Sequence, residues 1–207
     1  MAEPVGLLVD WGGVMTTNLF GSFDRFCEAE GLDRGAISTA FRRDPDAREL
    51  LVALEEGRME PADFEPRFAT MLGLSPERHS GMIARLFEGS ALDDAMIDAV
   101  RRARGAGVRT GLISNSWGLD SYPRDLLGEL FDGVVISGEV GLRKPAARIY
   151  ELGAEAIGLE PAACVFVDDL PFNLTPAAEM GMRTIRHVSA DETIPELEAA
   201  LAVSLAP

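Results

Sequence analysis

Cysteine and histidine are scarce in this chain of 207 residues, which contains two of each. Cys27 and Cys164 lie far apart, and their spacing matches neither a metal-binding nor a redox motif. Cys164 falls within the apolar run ACVFVDD, so we expect a buried, packed thiol there. We expect His79 to be a solvated cap residue and His187 a strand residue with a local partner. Cysteine and histidine chemistry is therefore not expected at a functional site.

Positive charge and long apolar runs are also lacking. The chain has 19 lysines and arginines against 34 acidic residues, which gives a formal net charge of −15. An acidic surface argues against nucleic acid and anionic membranes as partners. No apolar run reaches the roughly 18 residues of a membrane span, and the N-terminus lacks a basic-then-apolar signal region. These absences favour a cytoplasmic enzyme or binding protein.

Short apolar runs are present, and they predict a parallel β-sheet. Five runs have strand character, and from the second onward they alternate with helical patterns. Such alternation is typical of βαβ units, and nearly continuous apolar strands indicate a sheet covered on both faces. We therefore predict an α/β fold with a Rossmann-like, doubly wound parallel sheet. The predicted strands are 5–10, 108–114, 133–137, 164–168 and 183–188, and the predicted helices 91–104, 119–128, 146–157, 173–180 and 192–205.

The stretch between the first two predicted strands has no strand pattern. It contains apolar spacings typical of helices, punctuated by glycine, proline and aspartate. We predict that residues 17–88 form a small inserted all-helical unit, which we call the cap. Residues 1–16 and 89–207 would then form the α/β core domain. The predicted cap helices are 20–32, 35–44, 46–57, 60–74 and 75–90.

Polar residues follow the predicted strands at the points where these end. Asp10 follows the first strand, Ser114 and Asn115 the second, and Asp168 and Asp169 the fourth, while Lys144 lies on a glycine-bearing loop after the third. Ligands of open α/β sheets bind at the carboxyl ends of the strands, where these side chains would converge. One lysine cannot balance three carboxylates, and an all-oxygen site with few protein ligands suits Mg²⁺ rather than zinc.

The same residues occur in four motifs that resemble those of the haloacid dehalogenase-like hydrolases. LLVDWGGVM resembles the first motif, LISNS the second, GLRKP the third and VFVDDLPFNLTPAAEMGM the fourth. The cap resembles that of the subfamily whose cap follows the first motif. Within the superfamily, the third and fourth motifs are most similar to a phosphatase-like branch. That branch includes the N-terminal domain of soluble epoxide hydrolases and some sugar-phosphate phosphatases.

The resemblance implies a Mg²⁺-dependent phosphohydrolase that acts on a small phosphorylated metabolite. Asp10 would attack phosphorus and form an aspartyl-phosphate, which water then hydrolyses. The Asp10 carboxylate, the Gly12 carbonyl and Asp169 would hold Mg²⁺. The glycines after Asp10 would let the backbone turn sharply and approach metal and phosphate closely.

The resemblance also implies how the phosphate would be bound. The Ser114 hydroxyl and the amides around Asn115 would donate to phosphate oxygens, and Lys144 would neutralise their charge. Asp168 would orient Lys144 or a metal-bound water, and Asn173 would form a hydrogen bond to Asp169 without contacting the metal itself. The competing interpretations are a turn or helix N-cap at Asp10, a strand-to-helix turn at Ser114 and Asn115, a solvated Lys144 and a helix-capping Asn173. For Phe20, Trp117 and Arg143, lining of the substrate pocket competes with core packing or surface exposure.

Position 12 departs from the D-x-D pattern of most phosphatases in this superfamily, because Gly12 replaces the acid that protonates the leaving oxygen. Loss of such a group costs about 10²–10⁴ in rate. The protein would then be slow or act on anomeric or acyl phosphates, or Thr16, Thr17 or a cap residue would substitute. A non-catalytic phosphometabolite-binding or partner-binding protein is one alternative, and a 2-haloacid dehalogenase is another. The sequence leaves substrate identity and oligomeric state open.

Overall fold

A five-stranded sheet forms the centre of the protein in the computed structural model, which describes residues 6–205. The strands are β1 (Gly6–Val9), β2 (Arg109–Ser114), β3 (Gly133–Ile136), β4 (Cys164–Asp168) and β5 (Arg183–Arg186). They lie in the order β3-β2-β1-β4-β5, and every neighbouring pair is parallel. The predicted α/β class is confirmed, and each strand falls within its predicted run. The predicted core-domain residues 1–5 and 206–207 lie outside the described residues.

Five helices follow β1, in the part of the chain predicted to form the cap. Their starts are encoded locally: the Asn18 side chain accepts a hydrogen bond from the Phe20 amide at 2.9 Å. Asp44 accepts from the Ala47 amide at 3.3 Å, next to Pro45 at the first helical position. The helices are α1 (Leu19–Ala29), α2 (Ala36–Arg43), α3 (Pro45–Glu55), α4 (Pro61–Met71) and α5 (Met82–Leu86).

The prediction of one helix over 75–90 is wrong. A 3₁₀ turn at Pro76–Arg78 is followed by the short α5. Gly81 lies between them with φ = 68°, in the left-handed region that a continuing right-handed helix cannot contain. The apolar spacing reflects burial in two separate short elements rather than along one helix.

Six helices belong to the sheet-forming part of the chain. Helices at 94–105 and 190–201 pack on one face of the sheet, and those at 147–156 and 171–179 pack on the other, as a doubly wound sheet requires. The predicted helix 119–128 begins later, because Tyr122 precedes Pro123 and adopts an extended conformation. The six are α6 (Asp94–Gly105), α7 (Arg124–Leu130), α8 (Ser137–Val140), α9 (Ala147–Ala156), α10 (Pro171–Glu179) and α11 (Ala190–Leu201).

Three clusters of buried apolar side chains stabilise the described chain. One lies on each face of the sheet, and the third lies among the cap helices around Phe26, Phe64 and Phe68. Burial of each such large side chain contributes about 1.5–3 kcal/mol to folding. Within residues 6–205, no helix combines the length and apolar character needed to cross a bilayer.

Candidate active site

The acidic residues meet at the carboxyl ends of the two central strands. Asp10 follows β1 directly, and its backbone amide donates to the Val167 carbonyl of β4 at 2.9 Å. Asp168 is the last residue of β4 and Asp169 the next. Each of Asp10, Asp168 and Asp169 offers a carboxylate oxygen, and these oxygens all lie within 4.8 Å of one another. The parallel register of β1 and β4 thus joins residues about 160 positions apart in the chain.

Lys144 lies between these acids. It is the only lysine in the sequence, and its side chain is completely buried. The Lys144 Nζ atom lies 2.7 Å from Asp10 Oδ1 and 2.7 Å from Asp168 Oδ2. A buried ammonium is costly unless it is paired and hydrogen-bonded, and both carboxylates meet that need here. The structure therefore brings together the predicted strand-end groups at one edge of the sheet.

The cluster carries more negative charge than Lys144 balances. Burial raises the pKa of Asp10 to about 8; Lys144 opposes this shift, and Asp168 and Asp169 add to it. Burial and then repulsion from Asp168 raise the pKa of Asp169 to about 6. Burial works to lower the pKa of Lys144, but Asp10 and Asp168 together raise it above its usual value. A bound cation would favour the charged carboxylates, which is the electrostatic requirement of a metal site.

The residues at the end of β2 support the lysine in a way that the sequence did not predict. The Asn115 side chain accepts from the Lys144 amide at 2.8 Å and donates to the Lys144 carbonyl at 3.1 Å. The Ser114 hydroxyl shares a 2.8 Å hydrogen bond with the Tyr122 hydroxyl. Asn115 therefore holds the loop that carries Lys144, and only its backbone amide remains for phosphate. Tyr122 is a site residue that sequence reasoning missed.

Asp168 is bound from three sides. Besides Lys144, it accepts hydrogen bonds from the Leu170 amide at 2.9 Å and from Asn173 Nδ2 at 3.0 and 3.1 Å. The expected pairing of Asn173 with Asp169 is therefore wrong. Helix α10 begins at Pro171, and its first turn places Asn173 beside Asp168, whereas the Asp169 carboxylate lies against Gly13.

The two glycines after Asp10 have different roles. Gly13 has φ = 78°, and a Cβ there would lie 2.6 Å from Asp169 Oδ2. The backbone can approach Asp169 only because that atom is absent. A Cβ at Gly12 would instead lie 2.7 Å from Cδ1 of Leu19, the first residue of α1. Leu19 thus occupies the space into which a side chain at position 12 would extend.

A cavity of about 840 Å³ opens between the sheet edge and the cap. Asp10, Lys144 and Asp169 line one end of it. Aromatic and aliphatic side chains form most of the remaining wall, including Phe20 and Trp117, and Arg143 also lines it. The volume lies within the range of small-molecule sites.

Glu55 is a second lining residue that sequence reasoning missed. It ends α3, is buried, and makes a short ion pair with Arg143 in the loop that carries Lys144. Burial raises the pKa of Glu55, while Arg143 opposes the shift. Helical spacing was the available signal, since Glu55 lies four residues after Leu51 on the cavity-facing side of α3.

Comparisons with known proteins agree with this geometry. A family model described as haloacid dehalogenase-like hydrolase matches residues 7–181. Bifunctional epoxide hydrolase 2 of Mus musculus is 28% identical over 208 residues, covering 91% of this chain and 37% of that protein. Sesquiterpene phosphatase astK of Aspergillus oryzae is 32% identical over 132 residues, covering 62% of this chain and 67% of that protein. The chain thus spans little more than a third of the epoxide hydrolase.

Solved structures share the fold. A predicted HAD-like family hydrolase from Porphyromonas gingivalis superposes with a TM-score of 0.73 at 24% identity, covering 98% of this chain and all of that one. A HAD-family enzyme from Bacteroides thetaiotaomicron, solved with magnesium and inorganic phosphate, gives a TM-score of 0.65 at 21% identity, with coverage of 89% and 94%. The expected magnesium cofactor agrees with the oxygen donors of Asp10, Asp168 and Asp169.

Proposed function

We infer, since this chain belongs to the haloacid dehalogenase-like hydrolases, that it is a magnesium-dependent phosphohydrolase acting on a small phosphorylated metabolite. The position of Lys144 carries this proposal, because its ammonium group lies 2.7 Å from both Asp10 and Asp168. A nucleophile, a buried cation and metal-binding carboxylates thus share one end of the cavity. The sesquiterpene phosphatase among the relatives supports the same class of reaction.

The residues present suit a magnesium ion. Asp10, Asp169 and the Gly12 carbonyl would supply oxygen ligands, which magnesium prefers, and water would complete its coordination shell. Asn173 Oδ1 is the one buried side-chain nitrogen or oxygen atom in residues 6–205 without a hydrogen-bond partner, and Asn173 lines the cavity. Its carbonyl oxygen would accept from a water of that shell. Bound magnesium would screen the phosphate charge from the Asp10 carboxylate.

Asp10 would act as the nucleophile. Its Oδ1 accepts from the Trp11 amide at 2.7 Å and from Lys144, which orients the carboxylate and leaves Oδ2 for attack. Attack of Oδ2 on phosphorus forms an aspartyl-phosphate as the bond from phosphorus to the leaving oxygen breaks, and that oxygen departs with the electron pair. Water then attacks the same phosphorus, and the bond from phosphorus to Asp10 Oδ2 breaks with its electron pair on the carboxylate. Inorganic phosphate leaves with one proton of the water, and the other passes to solvent.

Phosphate oxygens would be held by groups from two strand ends. The Ser114 hydroxyl and the Asn115 amide would donate from β2, and Lys144 would neutralise the charge. The Asn115 side chain acts indirectly, since two of its three hydrogen bonds fix the backbone amide and carbonyl of Lys144. Asp168 would position the ammonium, being bound to it and to Asn173 at once.

Phosphate release tests the proposal directly. Wild-type protein with Mg²⁺ should release phosphate from acetyl phosphate or p-nitrophenyl phosphate, and Asp10→Asn should reduce the rate by at least about 10³-fold. Asp125→Asn, at an exposed position on α7, is the control. Equal rates for wild type and Asp10→Asn would disprove the role of Asp10. Halide release from 2-haloacids in EDTA would identify a dehalogenase instead.

The second candidate function is phosphometabolite binding without turnover. One observation favours it. The apolar side chain of Leu19 lies beside Gly12, the position at which most phosphatases of this superfamily carry an acid. In that case inorganic phosphate with Mg²⁺ would raise the melting temperature, and none of the phosphate compounds would be hydrolysed.

A further inference from the structure

The wall of the cavity is unusually aromatic for this chain. Aromatic residues make up only 7% of the sequence, yet eight of the fourteen line this one cavity. Trp117, from the segment after β2, extends into the rings of the cap, and its centroid lies 5.5 Å from Phe87, 5.7 Å from Phe23 and 5.8 Å from Phe41. Interlocked rings of this kind present a preformed apolar surface.

Three polar side chains along this wall, those of Thr16, Glu55 and Arg143, are engaged within the protein, whereas Ser38, Arg42 and Ser90 line the cavity without a side-chain hydrogen bond inside residues 6–205. Glu55 and Arg143 form an ion pair. The Thr16 hydroxyl accepts from the Gly13 amide at 3.1 Å and donates to the Thr17 carbonyl at 3.3 Å. A sugar would have to bury several hydroxyls here with few partners, and buried polar groups without hydrogen bonds weaken binding. The wall therefore suits a hydrocarbon body better than a polyol.

The opening of the cavity is apolar as well. Phe20 of the cap is 46% exposed, Leu92 before α6 is 43% exposed, and Phe172 of α10 is 54% exposed. All three line the cavity, although they come from three separate segments. Single exposed apolar residues are ordinary, but their convergence at the opening of an apolar cavity is typical of a binding site.

The chemistry at position 12 restricts the other end of the substrate. Leu19 rather than a carboxyl group lies beside Gly12. An alkoxide leaves slowly without a proton, whereas a carboxylate or phenolate leaves readily without one. The apolar wall thus restricts the body of the substrate, and the lack of an acid at position 12 restricts its leaving group.

We propose that the substrate is a phosphorylated apolar molecule with a weakly basic leaving oxygen, namely an apolar acyl phosphate or aryl phosphate. This inference rests on the proposed phosphohydrolase function. The phosphate lies at Lys144, the leaving oxygen faces Leu19, and the hydrocarbon body packs against Trp117 and extends towards Phe172.

Substrates matched in pairs separate the two requirements. Octanoyl phosphate should exceed acetyl phosphate in kcat/KM by at least about 50-fold, since each of its six additional methylenes contributes about two- to fourfold. Octanoyl phosphate should exceed octyl phosphate by at least about 10²-fold, because only the basicity of the leaving oxygen differs greatly. Comparison of 1-naphthyl phosphate with octanoyl phosphate identifies which of the two chemical classes is preferred.

Variants locate the apolar site. Phe172→Ser should lower kcat/KM for octanoyl phosphate about tenfold more than kcat/KM for acetyl phosphate, as expected for loss of one large apolar contact. Val188→Ser is the matched control, because Val188 is 60% exposed and does not line the cavity. A chain-length effect as large in Phe172→Ser as in the wild type would show that the hydrocarbon does not leave the cavity past α10 and would overturn that placement.

Binding without turnover provides an independent measurement. The only two tryptophans of the chain, Trp11 and Trp117, both line the cavity, so fluorescence excited selectively at tryptophan reports on it. In the Asp10→Asn variant, octylphosphonic acid should change this fluorescence at a concentration at least about 50-fold lower than ethylphosphonic acid does.

The outcomes distinguish a wrong substrate class from a wrong proposed function. Hydrolysis that is equally fast for acetyl and octanoyl phosphate, or for octyl and octanoyl phosphate, would overturn the proposed substrate class and leave the phosphohydrolase standing. No phosphate release from any of these compounds with Mg²⁺ would overturn the proposed function itself.

Discussion

The sheet edge and the cap contribute opposite chemistries to one cavity. The edge supplies charge, with Asp10, Asp168 and Lys144 paired at 2.7 Å, whereas the cap supplies aromatic rings packed around Trp117. At the edge, short backbone segments determine where each polar group lies. In the cap, the wall is assembled from residues of several helices. The reaction would thus depend on the edge, and substrate selection on the cap.

The largest expected effect follows from removal of the Lys144 ammonium group at the sheet edge. Lys144→Met leaves the buried carboxylates without their cation, and such a loss costs about 3–5 kcal/mol in the free energy of unfolding. Urea unfolding of the metal-free protein at pH 7 measures it. Arg148→Met, which removes a cation from exposed ion pairs on α9, should change stability far less. Equal effects of the two variants would contradict the distinction between buried and surface pairs.

The second prediction concerns a carboxyl group introduced at position 12 of the sheet edge, beside Leu19 of the cap. Gly12→Asp combined with Leu19→Ala should raise octyl phosphate hydrolysis by about 10²-fold, because the leaving alkoxide would gain a proton donor. Leu19→Ala alone is the control, and Gly12→Asp alone should gain less, since its Cβ would lie 2.7 Å from Leu19 Cδ1. If the double variant retains the wild-type rate, the missing carboxyl group is not what limits the reaction.

The third prediction concerns the pH dependence of protein stability that arises from the carboxyl groups at the sheet edge. Asp169 and Asp10 have folded-state pKa values raised to about 6 and about 8. A carboxyl whose pKa is raised by folding binds its proton more tightly when folded, so stability falls as pH rises from the unfolded pKa through the folded one. The metal-free protein should lose at least about 1.4 kcal/mol, the equivalent of one pKa unit, between pH 4 and pH 8.

Thermal melts across that pH window measure this loss. Mg²⁺ should reduce the loss, because it binds the charged carboxylates, and Asp10→Asn should flatten the upper part of the curve. A stability that rises from pH 4 to pH 8 in the absence of metal would show that the cluster is not strained by its own charge.

The smallest expected effect concerns the connection between the two regions. Glu55→Gln removes the partner of half-buried Arg143 and should cost about 1–2 kcal/mol, measured by urea unfolding. Glu56→Gln is the control on the neighbouring residue, whose ion pair with Arg58 is more exposed. A larger loss for Glu56→Gln than for Glu55→Gln would mean that the buried pair does not hold the cap to the core.

The sequence predicted the strands and the polar residues at the sheet edge well, and the helix bounds and contacts of the cap less well. Apolar runs ending in Asp10, Ser114 and Asp168 indicated both the strands and their functional ends, because parallel strands align such ends. The partner of Asn173 and the role of the Asn115 side chain were not predictable, since each depends on a hydrogen bond made across two elements.

The cap shows the limit of periodicity. Helical spacing indicated most of its helices, but the predicted helix at 75–90 divides at Gly81. Spacing could not show that Glu55 pairs with Arg143 or that Leu19 occupies the space beside Gly12, because those contacts join segments whose relative placement comes from packing.

The sequence by itself determined the parallel sheet, the helical character of the insert and the set of polar residues at the strand ends, because alternation, burial and strand termination are local properties of the chain. Tertiary structure alone decided that the single lysine lies between two aspartates and that aromatic rings enclose the cavity. Those arrangements depend on distances between segments that are remote in the chain, and only packing sets such distances.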